Sequence, residues 1–239
     1  MVPKKLRGPK GTTVKVDIKR NGVKDLLTFV IVRDKIPLYT VDASFMIDGT
    51  DIGVIVINRF AMTTYDEFMK AMEELKKKGM KKVIIDLRGN PGGILGQAFY
   101  VADELIGGRD TIVYTKGRLP EFNESYMSSP GGLYEKIPVI VLINAGSASA
   151  SEILSGAIQD LDRGLIVGQT SFGKGLVQRQ FDVPDGSAFR ITTSRYYTPS
   201  GRCIQRSYEN KSDYYYLYGR IDLEAVSYTH LTLPTIYSV

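Results

Sequence analysis

Two short segments of this 239-residue chain carry side chains that could catalyse acyl transfer. Residues 146–152, GSASASE, place serines among small residues at the start of an expected helix. Residues 170–178, TSFGKGLVQ, place Lys174 between two glycines. A serine hydroxyl is a poor nucleophile until a base removes its proton, and a lysine amine can be that base if burial keeps it neutral. The two segments together predict a Ser–Lys hydrolase, with Phe172, Leu176 and Val177 forming a dry pocket for the lysine.

Each segment also has a purely structural or a different functional interpretation. Ser149, followed three residues later by Glu152, fits a capping box in which the hydroxyl only satisfies a helix N–H. Residues 168–174 read G-x-x-x-x-G-K, most of a phosphate-binding loop. That motif requires Ser or Thr after the lysine and then a helix, whereas Gly175 and a strand-like pattern follow here. We therefore reject nucleotide binding and keep the capping box open.

A glycine-rich turn follows one of the predicted buried strands. Residues 86–93, DLRGNPGG, leave that strand and lead into a predicted helix. Gly92 and Gly93 could present main-chain N–H groups to a developing oxyanion, although an ordinary strand-to-helix turn explains the same residues. Because this turn and the other two segments all follow buried strands, we expect the three to gather at one edge of a sheet.

Composition limits the classes of function. The net charge of +5 is modest, and the basic residues near the start of the chain alternate with apolar ones as on a solvated strand, which argues against nucleic-acid binding. The single cysteine, Cys203, excludes an internal disulfide and offers no metal constellation, so we expect neither a metal nor another cofactor. The sequence has no apolar run of the roughly 18 residues that cross a bilayer, and its first residues do not form a signal peptide.

The order of predicted elements indicates an α/β fold. A small β-rich part, residues 1–34, contains two strands around Asn21-Gly22. Residues 35–225 then alternate buried strands with helices, starting with a strand at 53–58 and a capping box that opens a helix at Thr64–Glu67. We expect one sizeable core in this second part.

The last segment, residues 226–239, differs from everything before it. It resembles the translation of a sequencing-library adapter, and we interpret it as a non-native tail that packs on nothing; a genuine C-terminal strand is the alternative. The only histidine of the chain, His230, lies in this tail, which removes it as a candidate base for the serine.

At the residues quoted above, the chain resembles the carboxy-terminal processing peptidases, also called tail-specific proteases. The resemblance runs from about residue 6 to residue 206, and residues 86–93, 144–152 and 172–178 reproduce the three signature segments of that family. It implies a crotonase-like or ClpP-like α/β core and an inserted PDZ domain, of which residues 7–12 resemble the last segment. The PDZ loop that would grip a substrate carboxylate has no counterpart here, and the family's final strands are unmatched after residue 206, so the activity of this chain is open.

The resemblance also implies roles for individual residues. It assigns the nucleophile to Ser149, the base to Lys174 and a supporting amide to Gln178, with the N–H groups of Ala150 and of Gly92 or Gly93 as the oxyanion hole. The expected activity is serine endopeptidase cleavage of proteins near accessible C-termini, without metal or nucleotide.

Two other classes of function stay open at this stage. A crotonase-like acyl-CoA enzyme would carry an acid–base carboxylate in place of Lys174, and a non-catalytic peptide-binding scaffold would not need a reactive Ser149. Since the family usually acts outside the cytoplasm, we expect the parent protein to be exported to the cell envelope or periplasm by a signal or membrane anchor that this fragment lacks.

Overall fold

The computed structural model describes residues 5–34, 38–207 and 227–228. The chain divides into two compact units, residues 1–38 and 39–239. In the first unit, strands β1 (Thr13–Ile18) and β2 (Leu27–Val32) form an antiparallel hairpin. None of residues 5–34 is buried, so the described part of this unit has no core, as its small size predicts.

The second unit is built on a mixed sheet. It contains β3 (Val41–Met46), β4 (Ile52–Ile57), β5 (Lys82–Asp86), β8 (Val139–Ile143) and β9 (Leu165–Gly168). Strands β4, β5, β8 and β9 run parallel in the spatial order β9-β8-β5-β4, and β3 lies antiparallel on the outside of β4. The parallel strands are rich in Val and Ile because a sheet covered on both faces has no solvated side.

Three helices provide the connections and pack with the sheet. They are α1 (Thr64–Lys77), α2 (Leu95–Leu105) and α3 (Ala150–Asp160). Their apolar faces join those of the strands in one core whose largest fully buried side chains include Phe68, Met72, Leu75, Leu105 and Leu154. The α/β class that the order of elements predicts is therefore confirmed.

A second sheet is entirely antiparallel. Its strands are β6 (Thr111–Gly117), β7 (Ser125–Met127), β10 (Leu176–Asp182) and β11 (Ala188–Tyr197), in the spatial order β10-β11-β6-β7. Because β10 starts directly after the segment that contains Lys174, that lysine lies at the entry to a strand and not to a helix. The structure agrees with the rejection of a phosphate-binding loop.

The sequence analysis missed two strands and misplaced one helix cap. Strand β3 was missed because Asp42 and Ala43 are residue types that strands disfavour, and β7 because three residues are too few to show a strand pattern. The capping box predicted at Thr64 is wrong: Thr64 is already helical and buried, and Thr63 is the N-cap. The hydroxyl of Thr63 donates a hydrogen bond of 2.6 Å to the carboxylate of Glu67.

Within the second unit, the short strand β12 (Ser227–Tyr228) pairs antiparallel with β9. The prediction that the segment after residue 225 packs on nothing is therefore wrong for these two residues, which behave as the strand alternative requires. Without β12, β9 would be an edge strand, and any extended segment with free N–H and C=O groups can pair with such an edge. His230 lies outside the described residues.

Candidate active site

Ser149 sits on a sharp turn between β8 and α3. Its backbone has φ 56° and ψ −113°, a left-handed conformation that is costly for a residue with a side chain. Strain of this kind recurs where a nucleophilic serine is held at a strand-to-helix turn. Ser149 is one of two non-glycine residues with positive φ in the described part of the chain, and the other, Asp162, lies beyond the far end of α3.

The neighbouring serines have structural roles. Ser147 and Ser151 are both fully buried. The Ser147 hydroxyl donates to the carbonyl of Leu87 at 2.8 Å, and the Ser151 hydroxyl donates to the carbonyl of Asn90 at 3.0 Å. Ser149 is partly exposed. Of the three serines in this segment, Ser149 is the one whose side chain solvent and a substrate can reach.

The capping box suggested by the sequence is also present. Ser149 is the N-cap of α3, and the Glu152 carboxylate accepts a hydrogen bond of 2.7 Å from the Ser149 N–H. A hydroxyl that accepts an N–H in a capping box still carries its own proton. Capping and nucleophilic roles are therefore compatible at Ser149.

Glu152 connects the serine to the lysine segment. The carboxylate oxygen that binds the Ser149 N–H also accepts the main-chain N–H of Lys174, at 2.9 Å. Two nitrogens that lie 2.7 Å and 2.9 Å from one oxygen are at most 5.6 Å apart. The fold thus brings together two residues that are 25 positions apart in the sequence.

The dry pocket predicted for Lys174 is absent from the described residues. Lys174 is exposed, whereas Gly173 and Gly175 on either side are buried. The glycines serve close packing: a Cβ on Gly173 would lie 2.9 Å from the Cβ of Arg206, and one on Gly175 would lie 2.3 Å from the main-chain nitrogen of Gln205. The prediction was wrong because neighbours without side chains cannot enclose a lysine.

Gln178 lies next to an irregularity in β10. The register of β10 against β11 shifts between Val177 and Gln178, and the Gln178 side chain is exposed. Bulges beside functional sites often redirect a side chain. Among the described residues, no hydrogen bond joins Gln178 to Lys174, so the amide that the sequence analysis assigned to the lysine does not hold it here.

The glycine-rich turn lies directly against the serine. A Cβ on Gly92 would come within 2.7 Å of the Cβ of Ser149 and within 2.8 Å of the Ala150 nitrogen. The Gly92 N–H, however, donates to the side-chain oxygen of Asn90 at 2.8 Å, so it is not the free donor that the sequence analysis considered. Gly93 is exposed. Within the described residues, neither the Gly93 N–H nor the Ala150 N–H has a hydrogen-bond acceptor.

Two asparagines that the sequence analysis did not select hold these turns together. Asn90 is fully buried, and its carbonyl accepts the Ala148 N–H at 3.0 Å. The side-chain oxygen of Asn144 accepts the N–H groups of Gly89 and Gly146, at 2.8 Å and 3.0 Å. An asparagine after each of two buried strands was a usable signal, because that side chain satisfies turn N–H groups locally.

The sequence analysis expects no metal site in this chain. Across residues 5–34 and 38–207, no group of three His, Cys, Asp or Glu side chains is placed to hold a metal ion. In the same ranges, no helix has the length and apolar character to span a bilayer.

The stretch of the chain that contains these three segments is similar to known proteins. Residues 51–214 match the family model described as peptidase family S41. The chain is 41% identical over 204 residues to the carboxy-terminal-processing protease of Bartonella bacilliformis, covering 84% of this chain and 46% of that protein. It is 39% identical over 205 residues to carboxy-terminal processing protease CtpB of Bacillus subtilis, covering 84% and 42%.

Among solved structures, the chain is similar to the photosystem II D1 C-terminal processing protease. The TM-score is 0.62 at 30% sequence identity, over 85% of this chain and 55% of that one. The chain spans a little under half the length of the two curated relatives. Since the family model covers more than half of the chain and includes all three segments of the site, the chain belongs to peptidase family S41.

Proposed function

We propose that the chain is the catalytic part of a serine endopeptidase that cleaves proteins near their C-termini, with Ser149 as nucleophile and Lys174 as general base. One observation carries the proposal: Ser149 is the accessible serine of its segment, held in a strained turn whose neighbouring N–H groups, at Gly93 and Ala150, have no acceptor within the described residues. From such a turn the Ser149 hydroxyl can attack a carbonyl, and the two N–H groups can bind the negative charge that develops on the carbonyl oxygen.

The proposed reaction has two halves. Lys174, in its neutral form, removes the hydroxyl proton of Ser149 while the oxygen attacks the peptide carbonyl. The N–H groups of Ala150 and Gly93 stabilise the oxyanion, and loss of one such donor typically costs about 10²–10³ in rate. The tetrahedral intermediate collapses, the C–N bond breaks, and the Lys174 ammonium gives its proton to the leaving amine. Lys174, neutral again, then deprotonates the water that hydrolyses the acyl-enzyme.

The exposure of Lys174 places one condition on this mechanism. An amine serves as a general base when water is excluded from it, and Lys174 is exposed. We assign that exclusion to the bound substrate, which would cover Lys174 as it reaches Ser149. Gln178 then contributes only if substrate binding moves its amide toward Lys174.

The two other functions have no specific support. An acyl-CoA enzyme of crotonase type needs a free acid–base carboxylate, and Glu152, the carboxylate between Ser149 and Lys174, is already saturated by hydrogen-bond donors. A non-catalytic scaffold gives no reason for the backbone strain at Ser149.

Three finer assignments belong to the proposal. We assign the second unit to a crotonase-like or ClpP-like peptidase core and residues 1–34 to part of a PDZ domain, whose missing surface would cover exposed side chains such as Val30 and Val32. Substrates would be proteins or peptides with accessible C-termini, and the parent protein would act in the cell envelope. A complete gene without an upstream signal or anchor segment would contradict the envelope assignment.

The mechanism is tested on purified protein with an unfolded protein substrate and with a fluorophosphonate reagent that labels activated serines. We expect Ser149→Ala to abolish both signals, and Lys174→Ala to abolish cleavage and to leave only slow residual labelling of Ser149. Lys174→Arg should be equally impaired because a guanidinium stays protonated. Lys81→Ala, at an exposed lysine directly before β5, is the matched control and should retain both. Wild-type cleavage by Lys174→Ala would overturn the mechanism.

A further inference from the structure

We propose that Glu152 is a positioning residue that fixes the distance between the nucleophile and the base of the proposed peptidase. Its side chain is 1% exposed and lies in the first turn of α3, behind Ser149. The inference rests on the proposed function for its catalytic consequence. The structural role of Glu152, whose carboxylate joins the lysine segment to the serine turn by hydrogen bonds, follows from the geometry alone.

The carboxylate is saturated by groups from both segments. One oxygen accepts the N–H groups of Ser149 and Lys174, at 2.7 Å and 2.9 Å. The other oxygen accepts the Ser171 hydroxyl at 2.7 Å and the Gly173 N–H at 2.5 Å. Three of the four donors are main-chain groups of fixed direction, so the carboxylate sets where the backbone of the lysine segment lies relative to the serine.

This arrangement requires the ionised form of Glu152. All four partners donate, and only a carboxylate can accept from four donors on two oxygens without carrying a competing proton. Burial raises the pKa of Glu152, and the hydrogen bonds from Ser171, Lys174, Gly173 and Ser149 oppose that rise. The partial positive charge at the N-terminus of α3 also favours a negative group in its first turn.

The substitution that tests this role is Glu152→Gln, because glutamine has almost the same volume. Its amide has one acceptor oxygen, so in either orientation the NH₂ group faces two of the four donors and repels them. The lysine segment must then move. Misplacement of a catalytic group by about 1 Å can cost about 10² in rate. We therefore expect kcat and the rate of Ser149 labelling by a fluorophosphonate to fall about 100-fold, with KM changed less than about threefold.

Glu67→Gln is a matched control for the loss of a saturated carboxylate. Glu67 accepts hydrogen bonds from the N–H and hydroxyl of Thr40, the N–H of Val41 and the hydroxyl of Thr63. It fastens α1 to the start of β3 and has no hydrogen bond to the serine or lysine segment. We expect this variant to lose stability and to be labelled at Ser149 at close to the wild-type rate.

A double-mutant cycle separates positioning from general destabilisation. If Glu152 acts by holding Lys174, then adding Glu152→Gln to Lys174→Ala should slow the residual labelling of Ser149 by less than about threefold. An undiminished 100-fold effect in that background would show that Glu152 acts on the fold and not on the pair. Labelling of the single variant Glu152→Gln at the wild-type rate would also overturn the proposal.

Hydrogen exchange provides a readout that does not depend on activity. The amides of Gly173 and Lys174 should be protected in the wild type and in Glu67→Gln, and should exchange at least tenfold faster in Glu152→Gln. If the wild type is not labelled at Ser149 but this exchange pattern holds, the proposed function fails and the structural role of Glu152 stands. Unchanged protection in Glu152→Gln would refute that role.

If Glu152→Gln does not fold, Glu152→Asp, which keeps the charge but shortens the reach, is expected to show the same losses.

Discussion

Replacing Gly92 by alanine tests how closely the glycine turn determines the position of the nucleophile. Gly92 has φ +92° and is buried against the serine turn. An added Cβ would lie 2.5 Å from the Ala148 carbonyl oxygen, 2.7 Å from the Ser149 Cβ and 2.8 Å from the Ala150 nitrogen. Two of these three contacts are with main-chain atoms, which cannot rotate away.

The magnitude follows from these distances. Carbon atoms in good contact lie about 3.5–4.0 Å apart, so Ser149 and Gly92 must separate by about 0.8 Å or more. A shift of about 1 Å at a reacting group can cost about 10² in rate, and a displaced Ala150 N–H would add part of the roughly 10²–10³ that an oxyanion donor contributes. We expect Gly92→Ala to lower the rate of labelling at Ser149 by about 10²–10³.

Gly89→Ala is the control in the same turn. Gly89 also has a positive φ, +74°, but an added Cβ would meet no atom within 4 Å. Both variants therefore carry the left-handed backbone cost of about 1–2 kcal/mol, and only Gly92→Ala also displaces the serine turn.

The assay is the second-order rate of fluorophosphonate labelling, measured beside urea unfolding curves so that both variants are compared while folded. We expect Gly89→Ala to be labelled within about threefold of the wild type. If Gly92→Ala is labelled as fast as Gly89→Ala, the contact between Gly92 and Ser149 does not position the nucleophile and the reasoning is refuted.

Three further outcomes are expected from single variants. Leu75→Ala removes a fully buried core side chain and should lower the free energy of unfolding by about 2–5 kcal/mol in urea; the exposed Lys78→Ala should change it by less than about 0.5 kcal/mol. Gly175→Ala should destabilise the lysine segment and raise its hydrogen exchange, because the Cβ would overlap the Gln205 nitrogen; unchanged exchange would contradict this. Burial raises the pKa of Glu67, but the hydrogen bonds from Thr63, Val41 and Thr40 outweigh burial and hold that pKa below 4.5. The ionised Glu67 therefore stabilises the fold above pH 4.5, and this stabilisation is lost as pH falls through the lowered pKa. The difference in unfolding free energy between wild type and Glu67→Gln should therefore shrink on acidification below pH 4.5, and a constant difference would refute the assignment.

Much of the fold followed from local patterns. The alternation of buried strands with helices predicted the α/β core, and the helix expected to open at residues 64–67 is α1. Strand β3 was missed because strands disfavour Asp42 and Ala43, and Thr63 could not be distinguished from Thr64 as the N-cap of α1 because the two threonines are adjacent.

The site was predictable to the level of segments. Ser149, Lys174 and the glycine turn were found because small residues at the ends of buried strands are unusual, and parallel strands deliver their carboxyl ends to one edge of a sheet. The sequence by itself thus determined which three segments meet. It also determined that the lysine segment continues into a strand, since Gly175 and a strand-like run stand where a phosphate-binding loop needs Ser or Thr and a helix.

Only the tertiary structure decided which groups in those segments are free. The hydroxyls of Ser147 and Ser151 donate to carbonyls about 60 residues away in the chain, and the Gly92 N–H donates to the side chain of Asn90. Long-range packing also left Lys174 exposed and gave Glu152 three of its four donors, from residues 171–174. A local pattern fixes a backbone conformation, but the availability of a hydroxyl, an amide or an amine depends on partners that the fold brings from distant parts of the chain.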